Sequence, residues 1–135
     1  MILRFAEPDD FGWLADNDRH IDGRVLRAKV AHSEIIVALD AEYLGWLRFG
    51  LFWDNTPFMN LLFVVERYRA RGIGRALVEF WEKAMLEHHH RVLLTSTLSS
   101  ETSQHFYRKL GYTDIGGFTL PGEPLELLLM KTFDL

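Results

Sequence analysis

The feature that most constrains this chain is a change of hydrophobic period within residues 58–85. FMNLLFVV (58–65) is a nearly continuous apolar run, the pattern of a strand buried on both faces. From Gly72 onward, Ile73, Ala76, Leu77, Phe80, Trp81, Ala84 and Met85 fall at i, i+3, i+4, i+7, i+8, i+11 and i+12, which traces one face of a helix. A central strand therefore gives way to a helix, and the junction reads RARGIG (69–74). Helix N-termini carry unpaired backbone N–H groups and the positive end of the helix dipole, so they hold anions when glycine lets a ligand approach the backbone. Gly72 and Gly74 supply that access. Arg67, Arg69, Arg71 and Arg75 crowd the same end, and Glu66 is the one carboxylate between Val64 and Arg75. An external polyanion is the economical partner for this cluster, set against a solvated arginine face around a tight turn.

Composition requires that the basic site be local. The net charge is −4 with both signs interspersed, which argues against nucleic-acid or membrane partners. With 135 residues, 48% of them apolar and 13% aromatic, the chain can build one ordinary core, so a single domain over residues 1–135 is expected. There is no cysteine, which excludes disulfides, thiolate metal sites and a cysteine nucleophile. The N-terminus, MILRFAEPDDFG, lacks a signal-peptide pattern, and no apolar stretch reaches the roughly 18 residues of a membrane span. The expectation is a soluble, cytoplasmic protein.

Around the junction, the elements follow in the order β α α β β β α β α β β. ILRFA (2–6) reads as a strand and EPDDFGWLADND (7–18) as a helix with an acidic start. Asp22 is placed to cap a second helix ending near His32–Ser33. EIIVALD (34–40) and YLGWLRFGLFW (43–53) read as an antiparallel hairpin, and DNTP (54–57) as the next turn. RVLLTST (91–97) is a strand, SETSQHFYRKLG (100–111) a short helix with a serine or glutamate start and a glycine stop. YTDIGGFTL and LELLLMKTF form a final strand pair across PGEP. This is a mixed α/β (α+β) domain.

Familiar phosphate-binding patterns do not fit the junction. A P-loop needs Gly-x-x-x-x-Gly-Lys-Ser/Thr, but Leu77 stands five positions after Gly72. A Rossmann fingerprint needs a small residue where Leu77 stands, and the preceding strand reads as part of an antiparallel stretch rather than the opening of a βαβ unit. What does fit is Gln/Arg-x-x-Gly-x-Gly, here Arg69, Gly72 and Gly74, after a strand ending FVV. Downstream stands QHFYRKLGY (104–112), with Phe-Tyr on a helix that ends in Leu-Gly-aromatic. Together, in this order, the two segments resemble the GNAT superfamily of N-acetyltransferases. The resemblance runs over nearly the whole chain and is strongest over residues 58–112.

That resemblance implies a central, mostly antiparallel sheet of about seven strands with a splayed central pair, flanked by about four helices. It implies acetyl-coenzyme A as cosubstrate, no metal, and a small-molecule or peptide amine as acceptor, and it allows a homodimer. The glycine loop, Arg69, Arg71, Gly72, Ile73, Gly74, Arg75 and Ala76, would wrap the pyrophosphate. The main chain of Phe63, Val64 and Val65 would pair with the pantetheine arm as an added strand, and Ser100 would take the place of an asparagine common in the family. Tyr107 occupies the position of the acid that protonates the departing thiolate. A phenol of pKa ~10 can donate to a thiolate of pKa ~8.5 when geometry brings them close.

The base has no such match. Many family members carry a glutamate where Asn60 stands, and an amide can only orient an amine or a water. Asp54 and Glu34 are carboxylates near strand ends, and a water chain is an equal candidate. Trp53, Asp54 and Asn60 are the acceptor-side candidates. Trp46, Phe49, Phe52, Trp53 and Phe58 form an aromatic-rich stretch that alternation divides between the core and a possible acceptor wall. Asp16, Asp18, Asp22 and Asp54 are a scatter of charge that could attract a cationic amine. His88, His89 and His90 are consecutive; helical neighbours diverge by about 100° and cannot converge on one ion. A coenzyme A-binding module without turnover is the competing reading. The acceptor, the general base, the range of acyl groups and the oligomeric state are not written in these patterns.

Overall fold

The computed structural model describes residues 1–134. Its elements are β1 (Ile2–Phe5), α1 (Phe11–Asn17), α2 (Gly23–Ala31), β2 (Ile35–Leu39), β3 (Tyr43–Phe52), β4 (Thr56–Val64), α3 (Ile73–Glu87), β5 (Val92–Leu98), α4 (Ser103–Lys109), β6 (Thr113–Thr119) and β7 (Leu125–Thr132). Short 3-10 turns precede α1 at Pro8–Asp10 and follow β4 at Glu66–Tyr68. The strands form one seven-stranded sheet in the order β1-β2-β3-β4-β5-β7-β6. All resolved registers are antiparallel except β4 with β5, which is parallel. This corrects the antiparallel expectation for β4: β4–α3–β5 is a βαβ crossover. A parallel neighbour needs a long connection, and the 15-residue α3 is that connection. Leu77 still separates the loop from a Rossmann fingerprint.

The residues divide into two compact units, Met1–Phe49 with Leu61–Trp81, and Gly50–Asn60 with the residues from Glu82 onward. In the first unit, Ala6, Leu14, Leu26, Val30, Ile35, Val37 and Trp46 make a core cluster. Ile35, Ile36, Val37 and Ala38 are all fully buried, so β2 is covered on both faces, which explains its unbroken apolar run. Two buried ionic sites fix the start and end of the first helical segment. Asp10 accepts from Arg4 at 2.7 and 3.1 Å, from the Glu7 N–H at 2.7 Å and from the Tyr43 hydroxyl. Asp18, at the C-cap of α1, accepts from Arg48 at 2.8 and 3.3 Å and from the Trp46 indole at 3.2 Å. Asp22 caps α2 through the Arg24 N–H at 2.8 Å. Asp18 and Asp22 thus have structural partners, which corrects their place in a scatter of acceptor-attracting charge.

In the second unit, β5 runs beside β7 over its whole length, and Leu93, Met59 and Leu129 are buried within it. The β3–β4 turn lies earlier than DNTP suggested. Trp53 and Asp54 both have positive φ, 58° and 63°, and the Asn55 N–H returns to the Phe52 carbonyl at 3.3 Å. This is the left-handed pair of a type I′ hairpin turn, and it leaves Thr56 and Pro57 to begin β4. α4 also begins later than expected, at Ser103. Its N-cap, Thr102, makes no side-chain bond, and the Gln104 amide reaches back to the Ser99 and Glu101 carbonyls at 2.9 and 2.8 Å instead. The three histidines close α3: His89 is left-handed at φ 69°, and the His90 N–H bonds the Met85 carbonyl at 3.0 Å, a helix-stop arrangement usually made with glycine.

Two predictions follow from the first unit. A Cβ on Gly45 would lie 2.5 Å from the Phe63 carbonyl oxygen, so Gly45→Ala must push backbone apart and should cost roughly 1–3 kcal/mol, read as a lower midpoint in thermal unfolding; an unchanged midpoint would refute the close approach. Burial by itself would raise the Asp10 carboxyl, but Arg4, the Glu7 N–H and Tyr43 hold it down at about 2. Its folded pKa being depressed, Asp10 contributes stability above the usual carboxylate range that is lost as pH falls through about 2. Asp10→Asn should therefore remove on the order of 2 kcal/mol at pH 7 and flatten the acid limb of stability, measured by urea unfolding between pH 7 and 2.

Candidate active site

The loop between β4 and α3 belongs wholly to the first unit. Gly72 precedes the helix with φ 80°, and the space where its Cβ would stand is open within 4 Å. The first helical backbone bond runs from the Ala76 N–H to the Gly72 carbonyl at 3.0 Å. The N–H groups of Ile73, Gly74 and Arg75 therefore precede the helical ladder, and a glycine cap has no side chain to occupy them. The buried Ile73 side chain anchors this turn. Ala70 is also left-handed, at φ 63°, so two of three consecutive residues lie in the left-handed region. Chemically, such a turn offers a row of N–H donors at the positive end of a four-turn helix, a fit for a pyrophosphate.

The four arginines are not equivalent. Arg67 pairs with Glu42 at 2.6 Å, and Tyr68 donates its hydroxyl to the same carboxylate; Arg75 pairs with Glu79 at 2.7 Å. Glu42 and Glu79 lie outside the window in which Glu66 was the one counter-charge, and they correct the inference that all four arginines await an external anion. The Tyr68 hydroxyl, and next Arg67, hold the Glu42 carboxyl below its usual range. Arg69 donates to the Val64 carbonyl at 2.9 Å and lies over the Phe63 ring. Arg71 is exposed, stacks at 5.7 Å on the Tyr68 ring and has no carboxylate partner among the described residues. Val65 is engaged at both main-chain groups, giving its N–H to Leu44 at 2.9 Å and accepting from the Tyr68 N–H at 2.8 Å. Phe63 stands half-exposed with its ring 4.9 Å from Trp46.

Most of the remaining candidates belong to the second unit; Glu34, Trp46 and Phe49 belong to the first. The β4–β5 ladder consists of Phe58–Leu94 and Met59–Thr95, and the buried Thr95 hydroxyl donates to the Met59 carbonyl at 3.1 Å. Asn60, next along β4, is exposed. Tyr107 on α4 is buried at 6% exposure. Burial pushes its phenol up to about 12, against the opposing influence of the Thr95 hydroxyl. It is therefore a fully protonated donor at neutral pH. Ser100 is exposed in the turn before α4, while Thr97 and Ser103 share a hydroxyl contact nearby. Trp53 is 79% exposed and Asp54 exposed at the hairpin turn, whereas Trp46 and Phe49 are buried in the other unit. Glu34 pairs with Lys29 at 3.5 Å. His105 is exposed. No group of His, Cys, Asp or Glu among the described residues is arranged to hold a metal ion.

Sequence reasoning missed Glu42, Tyr68 and Thr95. Glu42 acts across 25 positions of sequence, and no local pattern announces such a pair. Thr95 lies inside a strand where alternate threonines look like ordinary β-formers.

Comparison with known proteins agrees with this architecture. Residues 31–114, more than half of the chain, match the family described as acetyltransferase (GNAT) domain. N-acetylaspartate synthetase of Danio rerio is 33% identical over 88 residues, 58% of this chain and 30% of that protein; the chain thus spans less than a third of that relative's length. Ribosomal-protein-alanine N-acetyltransferase from Brucella melitensis superposes with a TM-score of 0.82 at 18% identity, covering 98% of this chain and 100% of the other. The structure of yncA from Salmonella typhimurium with its cofactor acetyl-CoA superposes with a TM-score of 0.79 at 18% identity, covering 100% and 95%. No helix among the described residues is long and apolar enough to cross a membrane. The chain belongs to the GNAT acetyltransferase family.

Proposed function

We propose that the chain acts as a single-domain cytoplasmic N-acetyltransferase, monomeric or homodimeric, in which an amine attacks the thioester of acetyl-coenzyme A directly. The observation that carries this reading is the opening of α3, where the Ile73, Gly74 and Arg75 N–H groups precede the helical ladder behind a left-handed Gly72 with open space in front of it. These amides hold the pyrophosphate, with Arg71 as the side chain free to join them and Arg69 and Ala76 framing the turn. Phe63, Val64 and Val65 line the pantetheine arm; with Val65 already satisfied, its role is to fix the strand rather than to bond the ligand. The exposed Ser100 supplies a further hydroxyl. When bound, acetyl-coenzyme A supplies an activated acetyl group on a thiol leaving group.

The proton traffic falls to this chain. Tyr107 gives its phenolic proton to the sulfur as the C–S bond breaks and the C–N bond forms, and the phenolate recovers a proton released from the amine through water. A phenol raised to about 12 stays loaded throughout the neutral range and takes its proton back readily once ionised. Asn60 orients the amine, and Trp53 and Asp54 stand on the acceptor side. The proton of the amine leaves through water, since Glu34 is already paired with Lys29.

Thiol release from acetyl-coenzyme A tests this reading with three amines of different chemistry: free aspartate, a peptide beginning with alanine, and spermidine. Release with at least one is expected; binding without release for every amine, extended to a broad primary-amine panel, would leave a binding module in place of an enzyme. Gly72→Glu should raise the cofactor Kd more than 100-fold, about 3 kcal/mol, because it sets a carboxylate where the phosphates belong, and unchanged affinity in a folded mutant would sink the loop assignment. Tyr107→Phe should lower kcat by about two orders of magnitude with cofactor affinity nearly intact; a mutant at full rate would remove the acid role.

A further inference from the structure

α3 buries Leu77, Val78, Trp81 and Met85, and Glu82 on the same helix is also buried, at 7% exposure. A carboxylate there requires compensation, and it has it. Tyr112 donates its hydroxyl to Glu82 at 2.8 Å, and Lys131 Nζ donates to both oxygens at 3.2 and 3.1 Å. Burial and the Glu82 charge both push the Tyr112 phenol up, so it stays a donor. The site ties α3 to Tyr112, the residue before β6, and to β7. A well-packed apolar residue of similar size would often serve stability as well or better than such a buried ionic site, so its use here points to a geometric demand.

That demand is visible at Tyr107. The Tyr112 N–H donates to the Tyr107 carbonyl at 3.1 Å, and the Leu110 N–H joins it at 3.0 Å. The two tyrosine rings meet edge to face at 6.0 Å and 68°. Gly111 between them is left-handed at φ 97°, and a Cβ there would come within 3.3 Å of the Lys131 side chain. α4 has seven residues and no side-chain N-cap, too little to hold itself in place. Its start is held by the Ser103–Thr97 contact and the Gln104 amide, and its C-terminal end adds a second anchor.

We propose that Glu82 is a positioning residue for Tyr107: clamped by Lys131, it fixes the hydroxyl and ring plane of Tyr112, and Tyr112 fixes the place of the Tyr107 phenol. The catalytic part of this inference rests on Tyr107 being the acid; the positioning part does not. Two readouts separate them. In protein labelled with 13C-tyrosine, the Tyr107 ring signal, assigned by its loss in Tyr107→Phe, should shift in Glu82→Met and in Tyr112→Phe, return most of the way in Glu82→Gln, which keeps an acceptor for Tyr112, and stay put in the exposed control Lys83→Ala. Tyr112→Phe removes one oxygen and keeps the proposal testable if Glu82→Met does not fold.

With the amine that gives the fastest thiol release, Glu82→Met and Tyr112→Phe should each lower kcat about 10-fold with KM for acetyl-coenzyme A within twofold. In a Tyr107→Phe background, each should cost less than twofold. A Tyr107 signal that does not move, or a full 10-fold cost retained in the Phe background, overturns the positioning role. If Tyr107→Phe runs at full rate, the acid role is lost and the ring signal alone decides whether Glu82 positions Tyr107.

Discussion

Two rungs pair β4 with β5, and the Thr95 hydroxyl reinforces the second by donating to the Met59 carbonyl at 3.1 Å. Most of what is distinctive in this fold depends on that short parallel contact. Parallel neighbours cannot be joined by a hairpin, so the chain leaves β4, builds α3 and returns as β5. The N-terminus of a 15-residue helix is thereby delivered to the end of a central strand, which is where the loop glycines stand. The brevity of the ladder matters as much as its direction. β5 is paired with β7 from Val92 to Leu98, so it does not need β4 beyond Thr95 to stay a strand. Thr95 also influences the Tyr107 phenol, so the same side chain bears on the strand contact and on the candidate acid.

The glycine loop acts through backbone first and side chains second. Arg67 and Arg75 spend their charge on Glu42 and Glu79, and Arg69 on the Val64 carbonyl. Exposed pairs of this kind contribute little to stability, but they set direction: Glu42 takes both Arg67 and the Tyr68 hydroxyl, which fixes the turn at Glu66–Tyr68 and presents the Tyr68 ring to Arg71. Arg71 is then the cation left over. A stretch that looks like a basic patch in one dimension is a backbone cradle with one uncommitted arginine in three.

Which parts were legible in the sequence depends on how local their causes are. The period change at Gly72 located α3 because burial of one helix face is written every three or four residues. The glycine stop at Gly111 and the Asp22 cap were legible for the same reason: each acts on backbone groups within a few positions. The β3–β4 turn was not, since a left-handed Trp53–Asp54 pair replaces the Asn-Gly that would announce it, and Pro57 drew the turn too far downstream. The parallel pairing of β4 was hidden because an apolar run does not give the direction of its neighbour. Nor did the run give full burial: of residues 58–65 only Met59 is buried, and Asn60 and Phe63 are exposed, which corrects the reading of a strand covered on both faces. Glu42 and Thr95 owe their roles to partners 25 and 36 positions away. Glu82 sat in a helix as one more charged residue until its burial was known.

Three buried carboxylates share a design. Asp10 ties the turn before α1 to β1 and β3 through Arg4 and Tyr43. Asp18 ties the end of α1 to β3 through Arg48 and Trp46. Glu82 ties α3 to the segments beside β6 and β7 through Tyr112 and Lys131. Each joins a helical element to the sheet through an aromatic donor and a cation, and each uses ionic groups where apolar packing could have supplied comparable stability. Apolar packing tolerates small displacements, because a methylene touches its neighbours in any of several arrangements. A carboxylate that must satisfy two fixed donors has far fewer acceptable positions. In a fold whose candidate chemistry sits on loops and a seven-residue helix, that intolerance is useful. The core sets how firmly the chain folds, and the buried ionic sites set where its short elements come to rest.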